Sequence, residues 1–248
     1  MTLPQAFLAR PIAHRALHGP GRPENSLAAV RTAVAGGYGI EIDLQLSADG
    51  VPMVFHDDAL ARLTGVEGPL AARTAQELGA MTLLGGDEGV PTLAEVLAEV
   101  AGRAPLLIEV KDQDGMLGDR VGTLEAATAL ALRGYAGPVA AMSFNPHSVI
   151  AMAALAPEVP RGIVTSAYDP ADWAPLPAEA CDRLRGIPDY DAAGACFVSH
   201  EAADLSRPRV AELKAMGARI LCWTIRSPQA ERAARAVAHN VTFEGYLA

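Results

Sequence analysis

Cysteine, basic charge and long apolar runs are all scarce in this sequence. Cysteine occurs three times, as Cys181, Cys196 and Cys222, without CxxC spacing. An odd, widely separated set argues for free thiols in a reducing compartment, and Cys196 and Cys222, inside apolar runs, are expected in the core. Lysine and arginine total 20 against 29 aspartates and glutamates, a formal net charge of −9. That balance argues against a general nucleic-acid binder, which needs a basic face. An anionic small substrate stays open, because a few local cations can reverse the potential inside a cleft. No stretch approaches the ~20 apolar residues of a membrane span; the Ala-rich stretch from Leu124 to Met142 is broken by Arg133, Gly134, Gly137 and Pro138. The opening MTLPQAFLARPIAHR has no basic region followed by a long apolar stretch, so no signal peptide is expected and the reading is of a cytoplasmic protein.

What is present is a core and a rhythm. Half of the 248 residues are hydrophobic and a fifth are charged, enough for one large α/β barrel or two small domains. Strand-like runs recur as PIAHR, GIEIDLQL, VPMVFHD, PLLIEV, PVAAMSF, RGIVTS, GACFVSH, RILCWTI and a weaker VTFEGY. Between them, helices are expected at 26–35, 93–101, 124–132, 146–155, 208–216 and 228–237. Asn25 or Ser26, Thr92 and Ser227-Pro228 supply their N-terminal signals. Such alternation means βαβ units and a parallel sheet. GIEIDLQL and VPMVFHD are separated only by SADG, so they form a hairpin, and the other runs suit a (β/α)8 barrel. A doubly wound sheet is disfavoured by the missing glycine-rich phosphate loop after the first strand. The expectation is one catalytic domain over residues 1–248 carrying a small insertion at 58–91. The apolar residues of that insertion, Val66, Leu70, Leu78, Met81 and Leu83, either form a satellite core or border the mouth.

The hairpin carries chemistry that a core strand would not. Glu41, Asp43 and Gln45 alternate onto one face. With Asp49-Gly50 central in the turn His56 faces Asp43, and with Ala48-Asp49 central it faces Glu41. Either even-length turn puts the imidazole on the carboxylate face, whereas a three-residue loop would not. PIAHR adds His14 and Arg15 at its end, and PLLIEVK adds Glu109 and Lys111, two apart and so on one face. Functional groups of barrel enzymes gather at these C-terminal strand ends. Glu41, Asp43 and Glu109 offer a hard oxygen set suited to Mg²⁺ or Ca²⁺. Arg15 and Lys111 offer donors for a phosphate, and two histidines can divide the roles of base and acid. Singly, each of these is a cap, a salt-bridge partner or a structural histidine; together they indicate a metal-assisted phosphate site. His147, at a helix start, is expected at the surface. His200 and Glu201 end a strand within reach of the mouth. Trp223 and Phe144 belong either to the core or to the pocket wall.

The stretch "IAHR…PENSLAAVRTAVAGGYGIEIDLQLSADGVPMVFHDDALARLTG", followed by LLIEVK, MSFNP and CWTI, closely resembles the glycerophosphodiester phosphodiesterase family. The likeness is dense from Ile12 to Gly65 and returns in patches to Pro228. It implies a TIM barrel with a small insertion after the HD motif, and hydrolysis of glycerophosphodiesters to glycerol 3-phosphate and an alcohol with one divalent metal ion. By the same resemblance His14 and His56 are the acid–base pair and Glu41, Asp43 and Glu109 the metal ligands. Arg15 and Lys111 would hold the phosphate, Glu24 and Asn25 would support the site, and Trp223 would line the pocket. The chain departs from the family pattern at Ala16, where glycine is usual, in the loop containing His18, at PENS, and at VTFEGYLA, where an Asp-containing turn is usual. The partner implied is a small glycerophosphodiester, with neither nucleic acid nor a membrane span. Two other readings use the same residues: phospholipase D-like hydrolysis of lysophospholipids, and a catalytically idle phosphodiester-binding barrel.

Overall fold

A computed structural model describes all residues, 1–248. In chain order the first half comprises α1 (Ala6–Ala9), β1 (Ile12–Ala13), α2 (Leu27–Gly36), β2 (Gly39–Leu46), β3 (Pro52–Val54), α3 (Ala61–Thr64), α4 (Ala75–Gly79), α5 (Leu93–Val100) and β4 (Leu106–Val110). The second half comprises α6 (Thr123–Leu132), β5 (Val139–Ser143), α7 (Pro146–Leu155), β6 (Arg161–Thr165), α8 (Ala178–Arg185), β7 (Phe197–Glu201), α9 (Pro208–Ala215), β8 (Arg219–Ile225), α10 (Pro228–Ala234) and β9 (Asn240–Phe243). The strands β1, β2 and β4 to β9 pair in parallel, and β1 bonds both β2 and β9, so eight strands close into a (β/α)8 TIM barrel. No helix is long and apolar enough to cross a membrane.

The helices begin where side chains can satisfy their free amides. Ser26 accepts from Ala29 N, Thr92 forms a reciprocal capping box with Glu95, and Ser227 accepts from Ala230 N. The sequence names no helix between β6 and β7, yet α8 lies there. It buries only Cys181 and Leu184 and follows two prolines, too sparse an apolar stripe to read from periodicity.

Strand alternation sorts the core. Outward residues such as Ile40, Ile42, Ile108, Val198 and Val241 meet the helices, while Ile12, Leu107, Ala140, Val164, Phe197 and Leu221 fill the barrel. Phe7 of α1 joins this inner cluster and closes the N-terminal end. Gly162 is required beside Phe197, because a Cβ there would lie 2.4 Å from the phenyl ring. The bottom of the barrel is thus filled and apolar, and the opposite end is left for polar groups.

β3 is the one antiparallel strand. β1 is two residues long and pairs only Gly39 and Ile40, so the edge of β2 above them is free and β3 takes it. Residues 58–91 then pack Leu60, Leu70, Leu78, Leu83 and Val90 on Met53 and Phe55, a small core of their own. Leu70, Leu78 and Leu83 are buried there, and Val66 and Met81 are half-buried. Only Asp58 and Ala59 of this segment reach a cleft at the barrel mouth.

Candidate active site

Glu41 and Asp43 stand on the inner face of β2, and the parallel register sets Glu109 of β4 beside Asp43. One carboxylate oxygen from each lies within 4.8 Å of the others, and all three residues are buried. Burial together with Asp43 and Glu109 pushes the Glu41 carboxyl well above its ordinary range. Burial works the same way on Asp43, but Lys111, His56 and Arg15 outweigh it and hold that carboxyl below its ordinary value. Lys111 Nζ sits 2.9 Å from Asp43 Oδ1 and 2.8 Å from Glu109 Oε1. Glu41 Oε1 is buried without a hydrogen-bond partner. A hard, oxygen-only cluster with an unsatisfied buried oxygen is a donor set that could hold a divalent cation.

The loop after β1 supplies the next layer. The Arg15 amide donates to Glu41 Oε2 at 2.8 Å, and its guanidinium donates to Glu24 Oε1 at 2.8 Å while lying 3.6 Å from Asp43. Asn25 Nδ2 donates to Asp43 Oδ2 at 2.9 Å. Arg15, Ala16 and Asn25 hold left-handed backbone, with φ of 50, 62 and 59°. Such conformations cost non-glycine residues energy and persist where the surroundings fix them. Here Arg15 N and Asn25 Nδ2 donate to the Glu41 and Asp43 carboxylates, and Ala16 N donates to the Glu41 backbone carbonyl.

The hairpin register differs from the sequence expectation. Ser47 N donates to Val51 O at 3.0 Å, which leaves Ala48, Asp49 and Gly50 in a three-residue loop, Gly50 having φ of 79°. Leu44 therefore faces Val54, Gln45 faces Met53, and Phe55 N donates to Asp43 O at 3.0 Å. Continued strand would turn residue 56 to the outer face, so the alternation argument for His56 is incorrect. His56 nevertheless lines the cavity, because regular pairing stops at Val54 and the chain bends at residue 56.

Each histidine of the cavity is held by a carboxylate on its Nδ1. His14 Nδ1 lies 2.6 Å from Glu244 Oε2, and His56 Nδ1 lies 2.7 Å from Asp57 Oδ1. A carboxylate accepts, so Nδ1 carries the proton in both rings and Nε2 is the nitrogen left for a reactant. Glu244 is in turn 2.8 Å from Arg226 Nε, and His14, His18 and Arg226 together hold its carboxyl far below the usual range. Arg62 donates to Asp57 at 2.5 and 2.9 Å and to Glu24 at 3.0 and 2.7 Å. Burial lowers the His56 imidazole, with Asp43 opposing and Lys111 and Arg15 adding to the fall.

The far wall is aromatic. Phe144 packs on Trp173 at 5.0 Å and on Trp223 at 5.5 Å between ring centroids. The cavity they face measures about 300 Å³ and also touches His14, Arg15, His56 and the three carboxylates. It shares His56, Lys111 and Trp173 with a wider outer cleft bordered by Asp57, Asp58 and Asp112. The ten residues to which the resemblance gives roles thus meet at one end of the barrel, nine of them in direct contact or along one wall and Glu24 through Arg15. His200 does not. It is fully buried on the outer side of β7, bonded to Thr165 Oγ1 at 2.7 Å and to Asp204. Glu201 accepts from Ala167 N instead of entering the cavity. His147 is half-buried in the first turn of α7.

Sequence reasoning missed Glu244, Asp57, Arg62 and Trp173. Asp57 was signalled by its adjacency to His56, and Glu244 by the acidic residue that VTFEGYLA offers where the family pattern has an aspartate. Trp173 lies in a Pro-rich segment with no periodicity to mark it.

Residues 14–242 match the glycerophosphoryl diester phosphodiesterase family. The chain belongs to that family. It is 35% identical over 86 residues to human glycerophosphodiester phosphodiesterase 1, a match covering 31% of this chain and 26% of that protein. The chain therefore aligns with only about a quarter of the length of that relative. It is 32% identical over 162 residues to the glycerophosphodiester phosphodiesterase of Caldanaerobacter subterraneus subsp. tengcongensis, covering 62% of this chain and 65% of that one. Among solved structures, an Oleispira antarctica phosphodiesterase in complex with the product sn-glycerol-3-phosphate is similar at a TM-score of 0.77 and 27% identity, over 96% of this chain and 94% of that chain.

Proposed function

We propose that the protein hydrolyses glycerophosphodiesters to glycerol 3-phosphate and an alcohol, as a single catalytic unit over residues 1–248 with residues 58–91 as an accessory segment. The carrying observation is that two carboxylate-anchored imidazoles, His14 and His56, face one cavity with Arg15, Lys111 and a three-carboxylate cluster. The family membership and the product named for the Oleispira structure support the same reading.

One imidazole takes a proton from the nucleophile through Nε2, and the other gives a proton to the departing alkoxide through Nε2. Arg15 and Lys111 lie where they can donate to the phosphoryl oxygens as charge develops. Both are now engaged by carboxylates, so they are held in place before substrate arrives. Glu41, Asp43 and Glu109 would hold one divalent ion, Mg²⁺ or Ca²⁺. When bound, that ion supplies Lewis acidity and a template for the phosphate. Asn25 fixes Asp43, and Glu24 fixes Arg15. Buried, unbridged cysteines fit the reading of a reducing, cytoplasmic setting.

The test is release of glycerol 3-phosphate from glycerophosphodiesters of different alcohols, with Mg²⁺, with Ca²⁺ and with EDTA, while circular dichroism follows the fold. Turnover should require a divalent ion, and the spectrum should hold in EDTA because the three carboxylates are no part of the apolar core. Absence of turnover with every diester and ion, together with tight binding of one, would instead support an idle phosphodiester-binding barrel.

A further inference from the structure

The aromatic wall of the cavity hangs on a segment that takes no part in the proton transfers. β6 ends at Thr165 and α8 begins at Ala178, and between them the chain carries Trp173 to the mouth. Phe144 and Trp173 line both the cavity and the outer cleft, so the pair stands where one opens into the other. The barrel below is filled by apolar side chains, and a ligand held at Arg15 and Lys111 extends outward past this pair.

That segment is fixed from outside the mouth. Glu201 at the end of β7 accepts from Ala167 N at 2.9 Å, and Arg185 of α8 donates to Ala167 O and Tyr168 O, both at 2.7 Å. Tyr168 N donates to Ser166 Oγ at 3.0 Å, so the backbone polar groups of both residues are engaged. Tyr168 has φ of 48°, a left-handed backbone that a bulky side chain adopts where its surroundings impose it. Its ring is buried with Leu176, Cys181 and Leu184, and Trp173 packs on it at 4.8 Å between centroids. Neither Arg185 nor Glu201 lines the cavity or the cleft, yet together they set the platform on which Trp173 rests.

The cleft beyond the aromatic pair carries negative charge that no cation cancels. Lys111 and Arg62 are each paired with two carboxylates already. Asp58 and Asp112 meet neutral donors instead. Gln45 Nε2 donates to Asp58 Oδ1 at 2.9 Å, while Asn145 Nδ2 and Leu117 N donate to the two oxygens of Asp112 at 2.7 and 3.1 Å. Aromatic faces beside uncompensated carboxylates suit a weakly hydrated organic cation, which gains from both.

We infer that Arg185 and Glu201 are positioning residues for Trp173, and that Trp173 with Phe144 selects the leaving alcohol in favour of those carrying an organic cation. The assignment of the cleft to an alcohol rests on the hydrolase reading. The construction of the segment does not, because its contacts are complete within the protein. Discrimination among alcohols is thus set partly by two charged side chains that touch neither substrate nor the reacting groups.

The experiment compares kcat/KM for glycerophosphocholine with that for glycerophosphoglycerol, whose alcohol is neutral. Wild type should favour the cationic alcohol about tenfold, within the range of a cation over an aromatic face. Trp173→Ala should bring the ratio close to one, chiefly by raising KM for glycerophosphocholine, and Trp173→Phe should keep most of it. Arg185→Met and Glu201→Ala should each lower the ratio as well, whereas Glu201→Gln, which still accepts from Ala167 N, should behave as wild type. An equal loss on both diesters that tracks a lower melting temperature, or a wild-type ratio near one, overturns the inference. A second readout separates its failure from that of the hydrolase reading. The chain has two tryptophans, so Trp223→Phe leaves Trp173 as the only indole. In that background choline chloride should quench Trp173 fluorescence more than glycerol does. Adding Arg185→Met should open Trp173 to quenching by acrylamide with the melting temperature little changed. If wild type hydrolyses no diester, the hydrolase reading fails and the choline comparison still decides whether the aromatic pair seats a cation. Equal quenching by choline and glycerol, or an acrylamide response that Arg185→Met leaves unmoved, would show that the pair and its supports do not act in this way.

Discussion

Arg62, from the segment after the hairpin, bridges Asp57 and Glu24, and so links the carboxylate that holds His56 to the one that holds Arg15. The guanidinium itself is half-exposed and touches no part of the cavity lining. Exposed ion pairs contribute little to stability, about 0–1 kcal/mol. Orientation is another matter, because both imidazole and guanidinium must be positioned before reaction. Arg62→Ala should therefore lower kcat about tenfold while the melting temperature shifts by no more than a few degrees, a combination within the scale of lost positioning contacts. A melting temperature that collapses along with activity would make Arg62 a structural residue only.

The same bridge sets a pH dependence of stability. Burial pushes the Asp57 carboxyl up, but hydrogen bonds from Arg62 and His56 outweigh it and hold it at about 2. An unfolded aspartate titrates near ~3.9. A carboxyl depressed on folding stabilises the protein above the unfolded value, and that contribution is lost as pH falls through about 2. Urea unfolding at pH 5 and near pH 2.5 should show wild type losing more stability on acidification than Asp57→Asn. Equal losses in the two proteins would mean that Asp57 is not depressed.

The two imidazoles should be separable from their supports by kinetics. His14→Ala and His56→Ala should each lower kcat roughly 10²–10⁴-fold, the range for a positioned acid or base. Glu244→Gln keeps the ring of His14 in place but removes a charge-assisted bond, so the loss should be smaller, about ten- to a hundredfold, with KM nearly constant. His147→Ala, away from the cavity, should be silent. Normal activity in His56→Ala, or a large loss in His147→Ala, would displace the site.

The buried core of the accessory segment should act on stability for every substrate alike. Leu78 is fully buried in its small core. Leu78→Ala should cost about 2–5 kcal/mol if the segment unfolds with the barrel. Relative kcat/KM among alcohols should stay unchanged, because Leu78 does not reach the mouth. Asp58→Asn, at the outer cleft, should instead shift that ratio with little change in melting temperature. A changed ratio in Leu78→Ala would show that the segment shapes the cleft from within.

Most of the ring could be read from the chain because its strands are short, apolar and punctuated. GIEIDLQL coincides with β2, and Pro146–Leu155 with α7. The carboxylate cluster was legible for the same reason, since a period of two and a shared strand end leave Glu41, Asp43 and Glu109 few alternatives. His56 reached the right place by a route that the period of two did not describe. The turn has an odd number of residues, and the chain leaves the strand before His56, so the histidine is aimed by a bend and by Asp57. Trp173 and the partner of His14 were less accessible still. One lies in an irregular segment, and the other is 230 positions away, joined to its histidine only by closure of the barrel.

That closure has a consequence for synthesis. β1 holds just Ile12 and Ala13 and needs both β2 and β9 as neighbours, while the carboxylate steering His14 follows β9. Domains generally fold as units rather than strand by strand. The histidines, cations and clustered acids of the cavity up to Lys111 all precede β5 in the chain. The last strand is nonetheless what fixes His14, so a nascent chain holds nearly every reactive group of the site without a competent one. The site is complete only when β9 has closed on β1 and Glu244 has reached His14.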